Sequence, residues 1–324
     1  MRHATAKFYD RAPAVVESFE QAVISGLSAS PKSIPCRYLY DAAGSTLFDK
    51  ICELPEYYPT RTETRILDDN AAEIAALIGP RAQIVELGSG SSDKIRVLLE
   101  LLVSPKTYVP IDISAEHLQS AAETVARAHP SIPVAAVCAD YTSNFDLPQV
   151  LEDGYDKRVA FFPGSTIGNM TNSEAVAFLE RVRHLCGPRS DLLIGADLQK
   201  EPSLLNAAYN DSQGITAEFT LNVLHRINRE LDGDIDVSRF VHDAGYVPER
   251  GRMEIFLRSE VDQLIHAAGR GFRVRSGERI HIEYSYKYTI DGFRDLVASA
   301  GYTPVHYWVD AQQLFSVHYL RVAA

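Results

Sequence analysis

Cysteine is scarce in this 324-residue chain: there are four (Cys36, Cys52, Cys138, Cys186), and no C-x-x-C pair among them. Such scattering offers neither a disulfide framework nor a thiolate zinc site. Long apolar runs are missing too. Nothing approaches the ~20 consecutive apolar residues that span a bilayer, and Met1 to Asp10 lacks the apolar stretch of a secretory signal. Basic residues are outnumbered, 32 Lys and Arg against 43 Asp and Glu, for a formal net charge of −11. A surface of that sign repels phosphate backbones, so nucleic acid is excluded as the principal partner. The chain has ten histidines but no H-E-x-x-H helix, and its tightest grouping, His281-x-Glu283, has no third ligand nearby, so no metal is expected. What remains is a cytoplasmic, monomeric protein with a small-molecule substrate, long enough for two domains.

Hydrophobic periodicity sets out the organisation. A helix is predicted from Val15 to Gly26 and another from Thr62 to Ile78, the latter stopped by Gly79-Pro80. Short apolar strands at Ile84, Thr107–Asp112, Val134–Asp140, Arg158–Pro163 and Asp191–Asp197 then alternate with helices at Ile95–Val103, Ala115–Ala128 and Ser173–Cys186. Such alternation means a parallel α/β sheet covered on both faces. A helix at Ile290–Ala300 and two strands, Pro304–Val309 and Phe315–Val322, close it with an antiparallel hairpin.

The stretch Ile84–Lys94, IVELGSGSSDK, carries the first functional signal. A strand ends in Gly88-Ser89-Gly90 and a helix starts at once, so the backbone can approach a ligand closely. A dinucleotide site would want a third glycine at the helix start; Asp93 stands there, with a charge that opposes a pyrophosphate. An acid on the strand before G-x-G is instead the pattern of class I S-adenosylmethionine-dependent methyltransferases. A strand–turn–helix with no ligand fits the same residues. Acids at three successive strands, Glu86, Asp112 and Asp140, favour a nucleoside crevice at their carboxyl ends. Asp112 suits the ribose hydroxyls, and Asp140 with Tyr141 suits adenine.

Outside the sheet, the segment from Ser30 to Thr64 is rich in aromatics, and Tyr57-Tyr58-Pro59 stands out because the proline stiffens two phenols. Residues 200 to 285 read as an α+β insert. It has one long helix from Leu204 to Arg229, strand-like runs at Met253–Leu257 and Phe272–Val274, and a strand from His281 to Tyr288. Strict alternation in that last strand would put Ile280, Ile282, Tyr284 and Tyr286 on one face and His281, Glu283 and Ser285 on the other.

KSIPCRYLYDAAGSTLFDKI, LPEYYPTRTE, VELGSGSSDK, FFPGSTIGNM, the region of Tyr209 and the strand with Glu283 and Ser285 together resemble one family over nearly the whole chain. It is the histidine-specific Nα-methyltransferases of ergothioneine biosynthesis. The resemblance implies a Rossmann-like class I methyltransferase sheet with a closing antiparallel hairpin (61–199 and 286–324) plus a second, substrate-binding α+β domain (8–60 and 200–285). It implies S-adenosylmethionine as donor and L-histidine as acceptor, converted to hercynine by three methylations. The donor contacts carried over are Tyr40, Gly88, Lys94, Asp112, Asp140 and Tyr141; the histidine contacts are Tyr57, Gly164, Asn169, Tyr209, Glu283 and Ser285. Tyr57 and Tyr209 would hold the amine, and Asn169, helped by backbone N–H at Gly164 or its neighbours, the carboxylate. Glu283 and Ser285 would grip the imidazole nitrogens. The chain departs from the family pattern at Tyr141, where a phenylalanine is usual, and at Ile255, where a methionine lies near the imidazole pocket. Ile255 keeps open another small amine or aromatic amino acid as acceptor. A catalytically silent binding protein of the same fold is the alternative of a different class.

Overall fold

The computed structural model describes residues 6–11, 17–90, 93–152 and 154–323. They form two compact units, one from the described residues of Met1–Val16, Arg61–Leu198 and Tyr288–Ala324, the other from Glu17–Thr60 and Gln199–Lys287. In chain order the elements begin β1 (Lys7–Asp10), α1 (Phe19–Ser28), α2 (Ala42–Glu53), α3 (Pro59–Ile78), β2 (Gln83–Leu87), α4 (Asp93–Leu101) and β3 (Thr107–Asp112). Next come α5 (Ala115–Ala128), β4 (Ala135–Cys138), β5 (Arg158–Phe162), α6 (Asn172–Cys186) and β6 (Ser190–Asp197). The second unit continues with α7 (Pro202–Tyr209), α8 (Ile215–Glu230), β7 (Phe240–Val247), β8 (Arg252–Ser259), β9 (Gln263–Ala267), β10 (Arg270–Val274) and β11 (Arg279–Tyr286). The first unit closes with α9 (Ile290–Ser299), β12 (Tyr302–Val309) and β13 (Phe315–Val322).

The first unit is an eight-stranded sheet in the order β1-β4-β3-β2-β5-β6-β13-β12. Its strands β1 to β6 are parallel, while β13 runs antiparallel to β6 and β12 antiparallel to β13. This is the expected Rossmann-like sheet with its closing hairpin. Every residue of β2, β4 and β5 is buried, which is why these strands read as continuous apolar runs rather than alternating ones. Ile84, Tyr108, Val159, Phe161 and Leu193 pack there with Leu98, Leu99, Leu118 and Val125 from the covering helices. Boundaries follow local chemistry: α6 opens on a Thr171–Glu174 capping box and ends at Gly187, φ +79°. The strand order reverses between β2 and β5, so the crevice for a ligand lies where their carboxyl-end loops part.

The second unit is α+β, with helices beside a β11-β8-β7 antiparallel sheet and a separate β9–β10 hairpin. Three expectations need correction. Residues 8–10, placed with this unit from sequence, belong to β1, which pairs Lys7–Asp10 with Ala135–Cys138 on the edge of the large sheet. An edge strand with exposed faces carries no apolar run to betray it. The single helix from Leu204 to Arg229 is two. Asp211 breaks it by accepting the N–H groups of Ile215 (2.9 Å) and Thr216 (2.8 Å), and Gly214 sits at φ +74°. An acidic cap of this kind contributes about 1 kcal/mol. The first helix starts at Phe19, capped by Ser18; its expected start at Val15 lies outside the described residues, as do Val16, Ser91, Ser92 and the side chain of Asp93.

Candidate active site

The glycine turn after β2 is built as its sequence suggests. Gly88 (φ +72°) and Gly90 (φ +42°) both adopt left-handed backbone, and a Cβ on Gly88 would stand 3.3 Å from the Tyr141 ring. Glycine thus lets the β2 and β4 loops close on one another. Tyr141 lies edge-on to Phe162 and Phe178, at 5.8 and 6.1 Å between ring centres. Asp112 and Asp140 end neighbouring strands. Oδ1 of Asp112 accepts the Ser114 N–H (2.9 Å), and Oδ1 of Asp140 accepts the N–H and hydroxyl of Thr142 (2.8 and 2.6 Å). These side-chain turns fix both carboxylates and leave each Oδ2 outside the turn.

Glu86 does not join them. It is 2 % exposed, inside β2, and its carboxyl takes the Tyr108 phenol. Burial raises its pKa to about 8, against the lowering effects of the Tyr108 hydrogen bond and the Lys94 charge. The folded state therefore holds this proton up to higher pH than the unfolded chain, whose carboxyl titrates near 4.3. Stability from this group is full below the unfolded value and falls as pH rises towards 8. Glu86→Gln is expected to raise the melting temperature more at pH 8 than at pH 5; an equal shift at both would show that Glu86 is ionised in the fold.

The switch point is held by a residue that sequence reading missed. Glu63, 1 % exposed on α3, accepts the Gly164 N–H with both carboxylate oxygens (3.0 and 2.8 Å) and pairs with the Lys94 ammonium at 2.5 Å. It lies against β6 at Gly195, where a Cβ would come within 2.0 Å of its carboxylate. One carboxylate thus ties the β5 loop to the start of α4 across the crevice. The expected roles of Gly164 and Lys94 change accordingly. The Gly164 N–H is engaged by Glu63. The Lys94 ammonium is likewise engaged. Gly164 (φ +83°) remains a point of close backbone approach. Asn169 ends the short 3-10 turn that follows, partly exposed.

In the second unit the expected alternation of β11 fails at a bulge. His281 pairs with Phe256 and Glu283 with Ile255, leaving Ile282 as the extra residue. The bulge turns the strand. Glu283 and Ser285 now pair with Ile255 and Met253, both buried, and share that face with Ile280, the partner of Leu257. His281 and Tyr284 go to the other face, rings 4.0 Å apart, with the Arg252 guanidinium 3.6 Å from the Tyr284 ring centre. On the buried face the Tyr209 and Ser285 hydroxyls lie 2.8 Å apart. The Lys287 ammonium, 3 % exposed, donates to both, at 2.8 and 2.9 Å. His242 fixes the end of α7: burial lowers its pKa, so the neutral ring donates from Nε2 to the Tyr209 carbonyl (2.9 Å) while Nδ1 accepts from Thr220 (2.8 Å).

Tyr57 stands edge-on to Tyr209 and to Phe48, each at 6.3 Å. Burial, with Tyr209, Cys52, Tyr40 and Glu283 nearby, holds its phenol well above the usual range, so it stays protonated. Burial lifts Glu283 to about 7, with Lys287 pulling the other way. Tyr40, 42 % exposed, packs edge-on to Phe48 (5.5 Å) and Phe219 (5.3 Å).

Comparison with known proteins supplies the family. The profile described as histidine-specific methyltransferase, SAM-dependent, matches residues 19–322. The chain belongs to that family. Histidine N-alpha-methyltransferase of Mycolicibacterium smegmatis is 38% identical over 93% of this chain and 94% of its own length. The protein of the same name from Mycobacterium tuberculosis is 39% identical over 89% and 90%. Ergothioneine biosynthesis protein 1 of Neurospora crassa is 32% identical over 90% of this chain, a stretch that makes up 33% of that longer protein. This member of the histidine-specific methyltransferases is therefore an S-adenosylmethionine-dependent enzyme on a class I sheet. Among its described residues no group of three or more His, Cys, Asp or Glu is placed to hold a metal, and no helix is long and apolar enough to cross a membrane.

Two residues of this methyltransferase escaped sequence reading, for different reasons. Glu63 sits on a helix whose mixed charges look solvated, and nothing local marks it as buried. Lys287 was within reach: continuing the step of two from Glu283 and Ser285 arrives at it.

Proposed function

We propose that the chain transfers three methyl groups in succession from S-adenosylmethionine to the α-amino nitrogen of L-histidine, giving hercynine. The observation that carries this reading is Glu283 and Ser285, turned by the bulge onto a buried face beside Tyr209 and Lys287. A half-buried carboxylate next to a hydroxyl suits the two nitrogens of an imidazole, and a site built to hydrogen-bond rejects side chains that lack the partners.

The first unit is the donor-binding domain and the second holds the amino acid. Bound S-adenosylmethionine supplies an electrophilic methyl on a cationic sulfonium. The residues present fit it: glycine backbone at Gly88, the Oδ2 atoms of Asp112 and Asp140 outside their turns, and the Tyr141 ring packed against Gly88. Lys94 acts through Glu63, shaping the crevice. On the acceptor side, protonated Tyr57 and the Tyr209 hydroxyl orient the amine lone pair. In each round the lone pair forms the N–C bond as the C–S bond breaks, its electrons passing to sulfur. Any remaining amine proton leaves to solvent. Positioning at near-attack distance is the main contribution of the protein.

Asp112→Ala is expected to weaken S-adenosylmethionine about 10- to 100-fold by calorimetry, as loss of a charged hydrogen bond would, with histidine affinity kept; unchanged donor affinity would remove Asp112 from the ribose role. The function itself is tested by release of S-adenosylhomocysteine across a panel of amino acids. Release dependent on histidine supports it. Equal turnover of tryptophan or tyrosine would instead favour the broader acceptor class that Ile255, the strand partner of Glu283, leaves open.

A further inference from the structure

We propose that Lys287 is the positioning residue of the amino-acid site: its ammonium orients the Tyr209 and Ser285 hydroxyls and stands as the positive partner of the Glu283 carboxylate. This rests on the acceptor reading above and adds to it a residue with no role there.

The geometry is a closed triangle. Lys287 Nζ lies 2.8 Å from the Tyr209 oxygen and 2.9 Å from Ser285 Oγ, and those two oxygens are 2.8 Å apart. An ammonium only donates, so both oxygens must accept from it. The bond between the two hydroxyls uses one of their protons. The direction of the other is set by the two bonds its oxygen already makes. A neutral or absent side chain at 287 would let both hydroxyls rotate. Lys287 follows the end of β11, and its bond to Ser285 Oγ brings the ammonium towards the face that carries Glu283 and Ser285. Among the described residues, those coupled electrostatically to Glu283 include Lys287, the Cys36 thiol and the Tyr57 phenol. Burial and the Glu283 charge push the Cys36 thiol up, and the Tyr57 phenol stays protonated, so both are neutral near pH 7. Of these three, Lys287 is the cation. Burying a lysine is costly unless its donors are met; here two go to the hydroxyls, and its charge acts on the Glu283 carboxyl.

The test measures histidine KM, kcat and the pH profile of kcat/KM for wild type, K287M, K287Q and K287R, with S-adenosylmethionine affinity read separately by calorimetry. K287M and K287Q are expected to raise histidine KM about tenfold or more and to move the acid limb alkaline by about one pH unit, since one unit is a tenfold change in an equilibrium. The titration of free histidine is common to all variants and cancels. K287R keeps the charge and is expected to leave the limb in place, while its planar fork fits the triangle less well and raises KM less than K287M does. Donor affinity stays at the wild-type value throughout. If K287M does not fold, K287Q and K287R make the same comparison. Wild-type KM and an unmoved limb in K287M or K287Q would overturn the inference. If wild type itself consumed no histidine, the acceptor reading would fall instead, and the two failures are told apart by that control.

Discussion

Glu283→Ala is expected to lower kcat/KM for histidine by roughly 100-fold or more, the scale of one lost charged hydrogen bond plus the partner left unpaired. Affinity for S-adenosylmethionine should be unchanged, because the role proposed for Glu283 is towards the amino acid alone. Calorimetry for the donor and steady-state kinetics for the acceptor separate the two. A pH effect accompanies it. With a pKa raised to about 7 by burial, the carboxylate is lost as pH falls below that value. Wild type should therefore lose histidine recognition on the acid side, and Glu283→Gln should lack that part of the limb. A Glu283→Ala enzyme as active as wild type would remove Glu283 from the pocket.

The second large effect lies at Glu63. Glu63→Ala leaves the Lys94 ammonium beside an empty site and releases the Gly164 N–H, and the expected loss is about 2–4 kcal/mol of folding stability. The figure sits towards the low end because the Lys94 side chain is 18% exposed and water can reach it. Donor affinity should fall with it, since the same carboxylate joins the β5 loop to the α4 start on either side of the switch point. Glu63→Gln keeps an acceptor for Gly164 but no charge for Lys94, so it should fall between. Chemical denaturation together with donor titration reads both effects. Unaltered stability in Glu63→Ala would mean that the crevice is held by packing alone.

The sheet was legible because buried parallel strands write their burial directly as apolar runs, and the glycine turn because left-handed backbone, φ +72° at Gly88, favours glycine. The second unit was less so. Nothing in HIEYSY announces a bulge, since inserting Ile282 costs no change of residue type; it shows only when the partner strand fixes register against Phe256 and Ile255. That single residue moved Glu283 and Ser285 to the face of Ile280, yet kept them together, so the pair survived while its predicted surroundings did not. Glu86 misled in another way. An acid after two apolar residues looks like a strand-end ligand, but its length let it fold back onto Tyr108. The break at Asp211 was hidden because a cap and a helix interior differ by one hydrogen-bonding choice of the same side chain.

The most direct measurement of the central claim is mass spectrometry of the product formed from histidine and S-adenosylmethionine carrying a labelled methyl group. Three labelled methyls, all on the α-nitrogen and none on the ring, are the predicted result. Label on an imidazole nitrogen, or none on histidine while another amino acid accumulates it, would contradict the account.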